Sequence, residues 1–330
     1  MGEFDLIRRY FTRPARRATP GTLCTLGIGD DCALLQTAPG MQLAISSDML
    51  VTGRHFFPDV DPAALGHKAL AVNLSDLAAC GAKPLAFTLA LALPQIDERW
   101  LEGFSSGLLA LADAYGCELI GGDTTQGPLN ICITIFGEVA QGRALLRSGA
   151  QAGDDLYVSG TLGEARLALD ALRGRITLTE DVFAAARIRL ERPTPRVALG
   201  QALCGIATSA IDISDGLAGD LTHILESSGV GAVVQLETTI TLIAGCARSM
   251  GTTGVFSFEK QLEYVFSGGD DYELAFTAPP SARGAVAEAS TQSRTPVTRI
   301  GQIETHAGLR LIDAMGCERH GKFPSFDHFA

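Results

Sequence analysis

Lysine is scarce: of 26 basic residues only Lys68, Lys83, Lys260 and Lys322 are lysines, and none follows a glycine-rich loop. That excludes the usual nucleotide cradle, a P-loop whose lysine reaches the phosphates. The eight cysteines, at 24, 32, 80, 117, 132, 204, 246 and 317, form no Cys-x-x-Cys pair. A zinc site or disulfide scaffold is therefore not expected, and a reduced cytoplasmic protein with core thiols is. No apolar run is long enough to span a bilayer, and the amino terminus lacks the uninterrupted apolar core of a signal peptide. Positive charge is in deficit, with a net charge of −11, which argues against a general nucleic-acid or membrane-surface binder because such partners repel an acidic surface. There is no His-Arg-Asp catalytic loop, no short-period repeat and no low-complexity tract.

What is present is acid placed after apolar runs. Leu26-Gly27-Ile28-Gly29-Asp30-Asp31 is the first such stretch. Ser46-Ser47-Asp48 follows Leu43-Ala44-Ile45, Gly121-Gly122-Asp123 follows Leu119-Ile120, and Asp212-Ile213-Ser214-Asp215-Gly216 follows Ala210-Ile211. One Gly-Asp-Asp is as readily a turn as a site. Four acid-bearing strand ends point further, because adjacent carboxylates repel unless cations hold them together. Ser47, Asp48, Asp76, Asp123, Asp212 and Asp215 are hard oxygen donors of the kind magnesium takes alongside substrate phosphates and water.

With 330 residues, 46% of them hydrophobic, the chain can fill the cores of two domains. Phe4, Ile7 and Phe11 share a helical face that Pro14 ends, and it reads as a docking helix. Arg13, Arg16 and Arg17 read as a solvated basic loop. A strand is expected over 42–47, and a helix from Asp61-Pro62 to about Cys80 with Asn73 and Asp76 on one face. The nearly all-apolar run 85–93 reads as a strand covered on both sides. A helix from about 101 to 115 and strands at 118–121 and 130–139 complete the first half. The Gly142–Gly153 stretch is the expected boundary, giving domains 1–141 and 142–330. In the second half, strands are expected at 156–159, 208–213, 232–236, 273–277 and 297–303. Helices are expected at 162–172 and 217–227, with a turn at Arg192-Pro193-Thr194-Pro195. The order gives an α/β or α+β fold of two domains.

Three further features carry chemistry. Arg147 lies in the boundary loop, where an arginine can fork onto phosphate or simply face solvent. Ser267-Gly268-Gly269-Asp270-Asp271-Tyr272-Glu273 is a second glycine-opened acidic loop, read either as a substrate contact or as a sharp turn. His55 has no partner histidine or cysteine nearby and is a poor metal ligand, with contact to a substrate phosphate left open.

The ordered blocks GEFDLIRRYF, LGIGDDCALL, HFFPDVDP, KALAVNLSDLAACGAKP, LIGGDTT, RSGA, IDISDGL, SGGDDYEL and the closing FDHF together resemble the thiamine-monophosphate kinase family over essentially the whole chain. That family is part of the wider aminoimidazole ribonucleotide synthetase-like superfamily. The resemblance implies a two-domain fold with an N-terminal ATP-binding and dimerising domain and a C-terminal α/β domain. It implies a homodimer that transfers the γ-phosphoryl group of ATP to thiamine monophosphate with Mg2+. Carried over residue by residue, it implies metal ligands at Asp31, Ser46, Ser47, Asp48, Asp76, Asp123, Asp212 and Asp215. ATP would meet Gly122, Asp123, Arg147 and Ser214, and thiamine monophosphate would meet His55, Asp270 and Phe326. The chain departs from the family where Asp270 replaces the commoner Glu and where Phe326 stands for a Tyr or Trp. The alternatives are another ATP-dependent synthetase of the superfamily and a catalytically silent magnesium-nucleotide sensor. No general base is assigned, because the acceptor phosphate has a second pKa of ~6 and is already largely ionised near neutrality.

Overall fold

A computed structural model describes residues 2–12, 24–28, 31–243, 256–319, 323 and 325. The Gly29-Asp30 pair, the Arg13, Arg16 and Arg17 cluster and Phe326 lie outside the described residues. Contacts divide the chain into two compact units: Met1–Leu77 with Ala82–Gly142, and Arg143–Ala330 with Ala78–Gly81.

The first unit opens with helix α1 (Glu3–Leu6), continued by a π-helical turn Ile7–Phe11. Strands β1 (Cys24–Leu26) and β2 (Leu34–Leu35) form a small antiparallel ribbon. The main sheet is built from β3 (Met41–Val51), β4 (Lys83–Leu93), β5 (Glu118–Gln126) and β6 (Asn130–Ala140), with helices α2 (Pro62–Ala79) after β3 and α3 (Glu98–Tyr115) after β4. Its strand order is β3-β6-β4-β5, antiparallel except for the β4–β5 pair.

Local sequence explains the helix ends. The Asp61 carboxylate accepts the Ala64 N–H at 2.8 Å, with Pro62 at the first helical position. Asp97 caps α3 by accepting the Arg99 and Trp100 N–H groups, and Gly116 closes it in the left-handed conformation with φ 61°. Gly66 and Gly107 set the crossing of the two helices. A Cβ at Gly66 would lie 2.1 Å from the Phe104 carbonyl oxygen, and one at Gly107 would lie 1.9 Å from that of Ala63. The backbones therefore touch, and Leu65, Leu101, Phe104 and Leu108 pack around the contact, fully buried.

Two strands run past the expected ends. β3 continues through Asp48 because all eleven residues pair with β6, from Met41 opposite Ala140 to Val51 opposite Asn130. β5 carries Gly121-Gly122-Asp123 and Thr124-Thr125 inside the strand, not in a loop beyond it, because pairing with β4 resumes after a bulge at Ile120 and holds to Gln126.

The second unit contains β7 (Asp155–Ser159), α4 (Glu164–Leu172), α5 (Glu180–Glu191), α6 (Val197–Leu203), β8 (Ser209–Ile213), α7 (Leu217–Ser228), β9 (Gly231–Gln235), α8 (Leu236–Thr239), α9 (Phe258–Ser267), β10 (Glu273–Ala278), α10 (Arg283–Ser293), β11 (Val297–Glu304), β12 (Gly308–Ile312) and β13 (Glu318–Arg319). Its seven strands run in the order β13-β12-β9-β11-β7-β10-β8, with β12–β9 the one parallel pair. β7, β8 and β10 are buried along their whole length, as their apolar composition requires. Leu156, Val158, Ile211, Leu221, Ile224, Phe266 and Ile300 form the core. Among the described residues, no helix is long and apolar enough to cross a membrane.

Candidate functional site

The first unit holds two separate sets of oxygen donors. The first lies where β3 meets α2. The Ser46 hydroxyl donates to the Asp76 carboxylate, and the Asp48 N–H donates to Asn73 Oδ1 at 3.2 Å. Asn73, fully buried, returns its own N–H to the Ala69 carbonyl at 3.0 Å. The helical spacing that placed Asn73 and Asp76 on one face thus directs both at the same strand.

Ser47 is not part of that set. Side chains alternate across a strand, so Ser46 and Asp48 face α2 while Ser47 faces the other way, where its hydroxyl meets Thr134 Oγ1 at 3.0 Å and the Ile133 carbonyl at 3.2 Å. The Ser47 side chain therefore lies on the face opposite to those of Ser46 and Asp48.

The second set lines a cavity of about 730 Å³ beside β5, formed by Ile7, Arg8, Phe11, Asp31, Gly122 and Asp123 among others. Gly122 is required here by close approach: its φ is 143°, and a Cβ would lie 1.9 Å from the Leu89 carbonyl oxygen. Arg8 and Phe11, which the sequence presents as part of an amphipathic packing segment, also line this cavity.

Register shows why the sets are distinct. Asp48, Ile133, Leu89 and Gly122 form one row across the sheet, so Asp48 and Gly122 are three strand spacings apart, about 14 Å at ~4.8 Å per spacing. In the next row Asp123 shares its face with Ala90, Cys132 and Met49, opposite to that of Asp48. Within one chain, Asp48 and Asp123 cannot hold the same ion.

His55 sits in the turn after β3, where its Nδ1 accepts the Val51 N–H at 2.9 Å. This bond assigns the proton of the neutral ring to Nε2.

The second unit supplies the remaining residues. Asp212 is buried in β8, opposite Leu274 of β10. Ser214 and Asp215 form the turn between β8 and α7, and their N–H groups both donate to Asp220 Oδ2 at 3.1 Å. Burial, reinforced by the negative charge of Asp215, pushes Asp220 up to about 7. Asp270 lies in the glycine-opened loop with φ 66°, and its carboxylate accepts the Tyr272 hydroxyl at 3.0 Å. That loop is pinned at its end by Glu273, fully buried, which accepts from Arg189 at 2.8 Å, Arg196 Nε at 2.6 Å and Ser159 at 2.6 Å. Asp271 is likewise internal and accepts the Gly163 N–H; burial holds its carboxyl well above the usual range. Arg147 is exposed, and its carbonyl accepts the Ser228 hydroxyl, which itself receives the Gly149 and Ala150 amides.

Among the described residues, no group of three or more His, Cys, Asp or Glu side chains is gathered closely enough to hold a metal ion by itself. The carboxylates stand in ones and twos, with the Ser46 hydroxyl beside Asp76.

Residues 29–139 match the AIR synthase related protein, N-terminal domain, and residues 151–314 match the corresponding C-terminal domain. The chain is 48% identical to the thiamine-monophosphate kinase of Salmonella typhimurium over 332 aligned positions, covering 100% of this chain and 98% of the relative. It superposes on the crystal structure of the Stenotrophomonas maltophilia K279a thiamine-monophosphate kinase with a TM-score of 0.81 at 44% identity, covering 88% of this chain and 92% of the other. A structure of AaThiL complexed with AMPPCP and TMP aligns with a TM-score of 0.76 at 30% identity, covering 89% of each chain.

Proposed function

From the premise that the chain belongs to the thiamine-monophosphate kinase family of AIR synthase related proteins, we propose that it transfers the γ-phosphoryl group of ATP to the phosphate of thiamine monophosphate, giving thiamine diphosphate and ADP. The observation that carries this reading is the match along the full length to proteins of that activity. A relative's complex with an ATP analogue and TMP supports the same pair of substrates.

The cavity beside β5 has the size of a small-molecule pocket and is our candidate for the nucleotide, with Gly122 giving phosphate access to backbone and Asp31 and Asp123 at hand for a metal. Ser46, Asp48 and Asp76 are the second candidate metal set, and Asp212 and Asp215 a third. Carboxylates in ones and twos suit Mg2+, which takes one or two of them and completes its shell with phosphates and water. When bound, Mg2+ offsets the repulsion between two polyanions and stabilises the charge that spreads in phosphoryl transfer. The protein's part is to hold donor and acceptor in line. Arg147 and Ser214 are assigned to ATP, and His55 and Asp270 to thiamine monophosphate, with Phe326 carried over from the family pattern alone. Asp270 is one methylene shorter than the commoner Glu, and the Tyr272 hydroxyl fixes its carboxylate.

The chain is further assigned to a homodimer formed on the open face of the first sheet, where Leu43, Ile45, Met49 and Val51 of β3 are exposed together. A cytoplasmic location fits the family's biosynthetic chemistry. The test is to supply ATP, Mg2+ and thiamine monophosphate and assay thiamine diphosphate with and without a chelator. Formation that stops on chelation is expected, and ATP binding without product would favour a sensor.

A further inference from the structure

The turn Ser214-Asp215-Gly216 is held from two sides. From below, the Asp220 carboxylate, in the first turn of α7 and only 4% exposed, accepts the Ser214 and Asp215 N–H groups through one oxygen, both at 3.1 Å. The positive end of the helix dipole favours a carboxylate there. From the other side, the Asp270 N–H donates to the Ser214 carbonyl and the Tyr272 N–H to the Ile213 carbonyl, each at 2.8 Å. The two loops are in backbone contact: a Cβ at Gly269 would lie 2.6 Å from the Ser214 oxygen, and one at Gly216, where φ is 112°, would lie 3.0 Å from the Phe266 oxygen.

The Ser214 and Asp215 amides thus end on one buried carboxylate, and the Ser214 carbonyl, with that of Ile213 before it, on the loop that carries Asp270. Removing Asp220 would leave two amide donors facing a cavity, and the turn would have to reshape to satisfy them. Asp215 would then be displaced, and Asp270 with it through the Ser214 carbonyl.

We propose that Asp220 is a positioning residue, holding Ser214 and Asp215 in the shape in which they meet the metal and nucleotide and, through Ser214, fixing the acceptor loop at Asp270. This rests on the reading that Ser214 and Asp215 belong to the site. Asp220 itself touches neither substrate.

The experiment measures the Mg2+ concentration that half-saturates thiamine diphosphate formation by the full-length protein, together with its thermal melt. Asp220→Ala is expected to raise half-saturation about 10- to 100-fold, as loss of a residue that orients a metal ligand does. Asp220→Asn, which keeps an oxygen to accept both amides, is expected to stay close to the wild-type value. A merely structural residue would lower the melting temperature and leave half-saturation where it was, and that result overturns the inference. So does an Asn variant as impaired as the Ala variant. Should Asp220→Ala not fold, Asp220→Ser replaces it, since its hydroxyl is too short to reach the amides. Asp215→Asn separates the two levels. If it too leaves half-saturation unchanged, the site reading falls; if it alone raises it, only the role of Asp220 falls.

Discussion

At the scale of residues, Asp76 carries the sharpest expectation. It receives the Ser46 hydroxyl at the junction of β3 and α2, so Asp76→Asn keeps the size and the hydrogen-bonding capacity while removing the charge. A fall in kcat/KM of about two orders of magnitude is expected, equivalent to roughly 2.7 kcal/mol of transition-state stabilisation, with an unchanged circular dichroism spectrum. Near-normal turnover would take Asp76 out of the metal set. Asp155 makes a different kind of claim. It is fully buried and accepts from Arg283 at 2.6 and 2.9 Å and from Arg299 at 3.0 Å. The Arg283 hydrogen bond, chiefly, holds its carboxyl below the usual value. A carboxyl lowered in the folded state stabilises it above the unfolded value of ~3.9, and that stability is lost as pH falls through the lower folded value. Asp155→Asn should therefore melt below the wild type at pH 7, with the gap narrowing below about pH 4. A gap that stays constant from pH 7 to pH 3 would show that the charge is not the cause.

Among the elements, the α2–α3 crossing is set by glycines that a propensity argument would count as weaknesses. Gly107→Ala puts a methyl group into the Ala63 carbonyl and is expected to cost about 1–3 kcal/mol, read from denaturant unfolding. Gly284, near the start of α10, has nothing within 4 Å of its would-be Cβ; there alanine should be neutral or stabilising by about 0.4–1 kcal/mol. Equal effects at the two positions would remove the steric explanation. The start of α2 was readable because Asp61-Pro62 acts within a few residues of itself, whereas α3 begins at Glu98 behind its Asp97 cap, ahead of the expected start near 101. The helix crossing was not, since Gly107 owes its role to a carbonyl 44 positions earlier. The ends of β3 and β5 fell short in the reading because Ser, Asp and Gly look like turn residues until a neighbouring strand pairs with them. β12 and β13 were missed altogether, being only five and two residues long.

At the scale of the whole molecule, the sequence led to the two-domain kinase fold through its ordered motif blocks, and the matched domains agree. What the blocks concealed is that, among the described residues, the acids of the first sheet do not gather into one cluster. Asp48 and Asp123 occupy opposite edges and opposite faces of one sheet, and only pairing register reveals it. The exposed apolar row on β3 bears on assembly: Ile45, 60% exposed, is expected at the centre of the homodimer contact. Ile45→Asp should convert a dimer to a monomer in analytical ultracentrifugation, and a wild-type chain that sediments as a monomer would count against that contact.

The pleat of β3 also has a consequence in counting. Even-numbered positions such as 46 and 48 face α2, where the candidate donors lie, and odd-numbered ones such as 45 and 49 face outward. Parity thus separates two duties on a single ribbon of backbone. Losing one amino acid between Met41 and Ser46 would exchange them in a single step, whereas losing two would preserve the assignment and only shorten the ribbon.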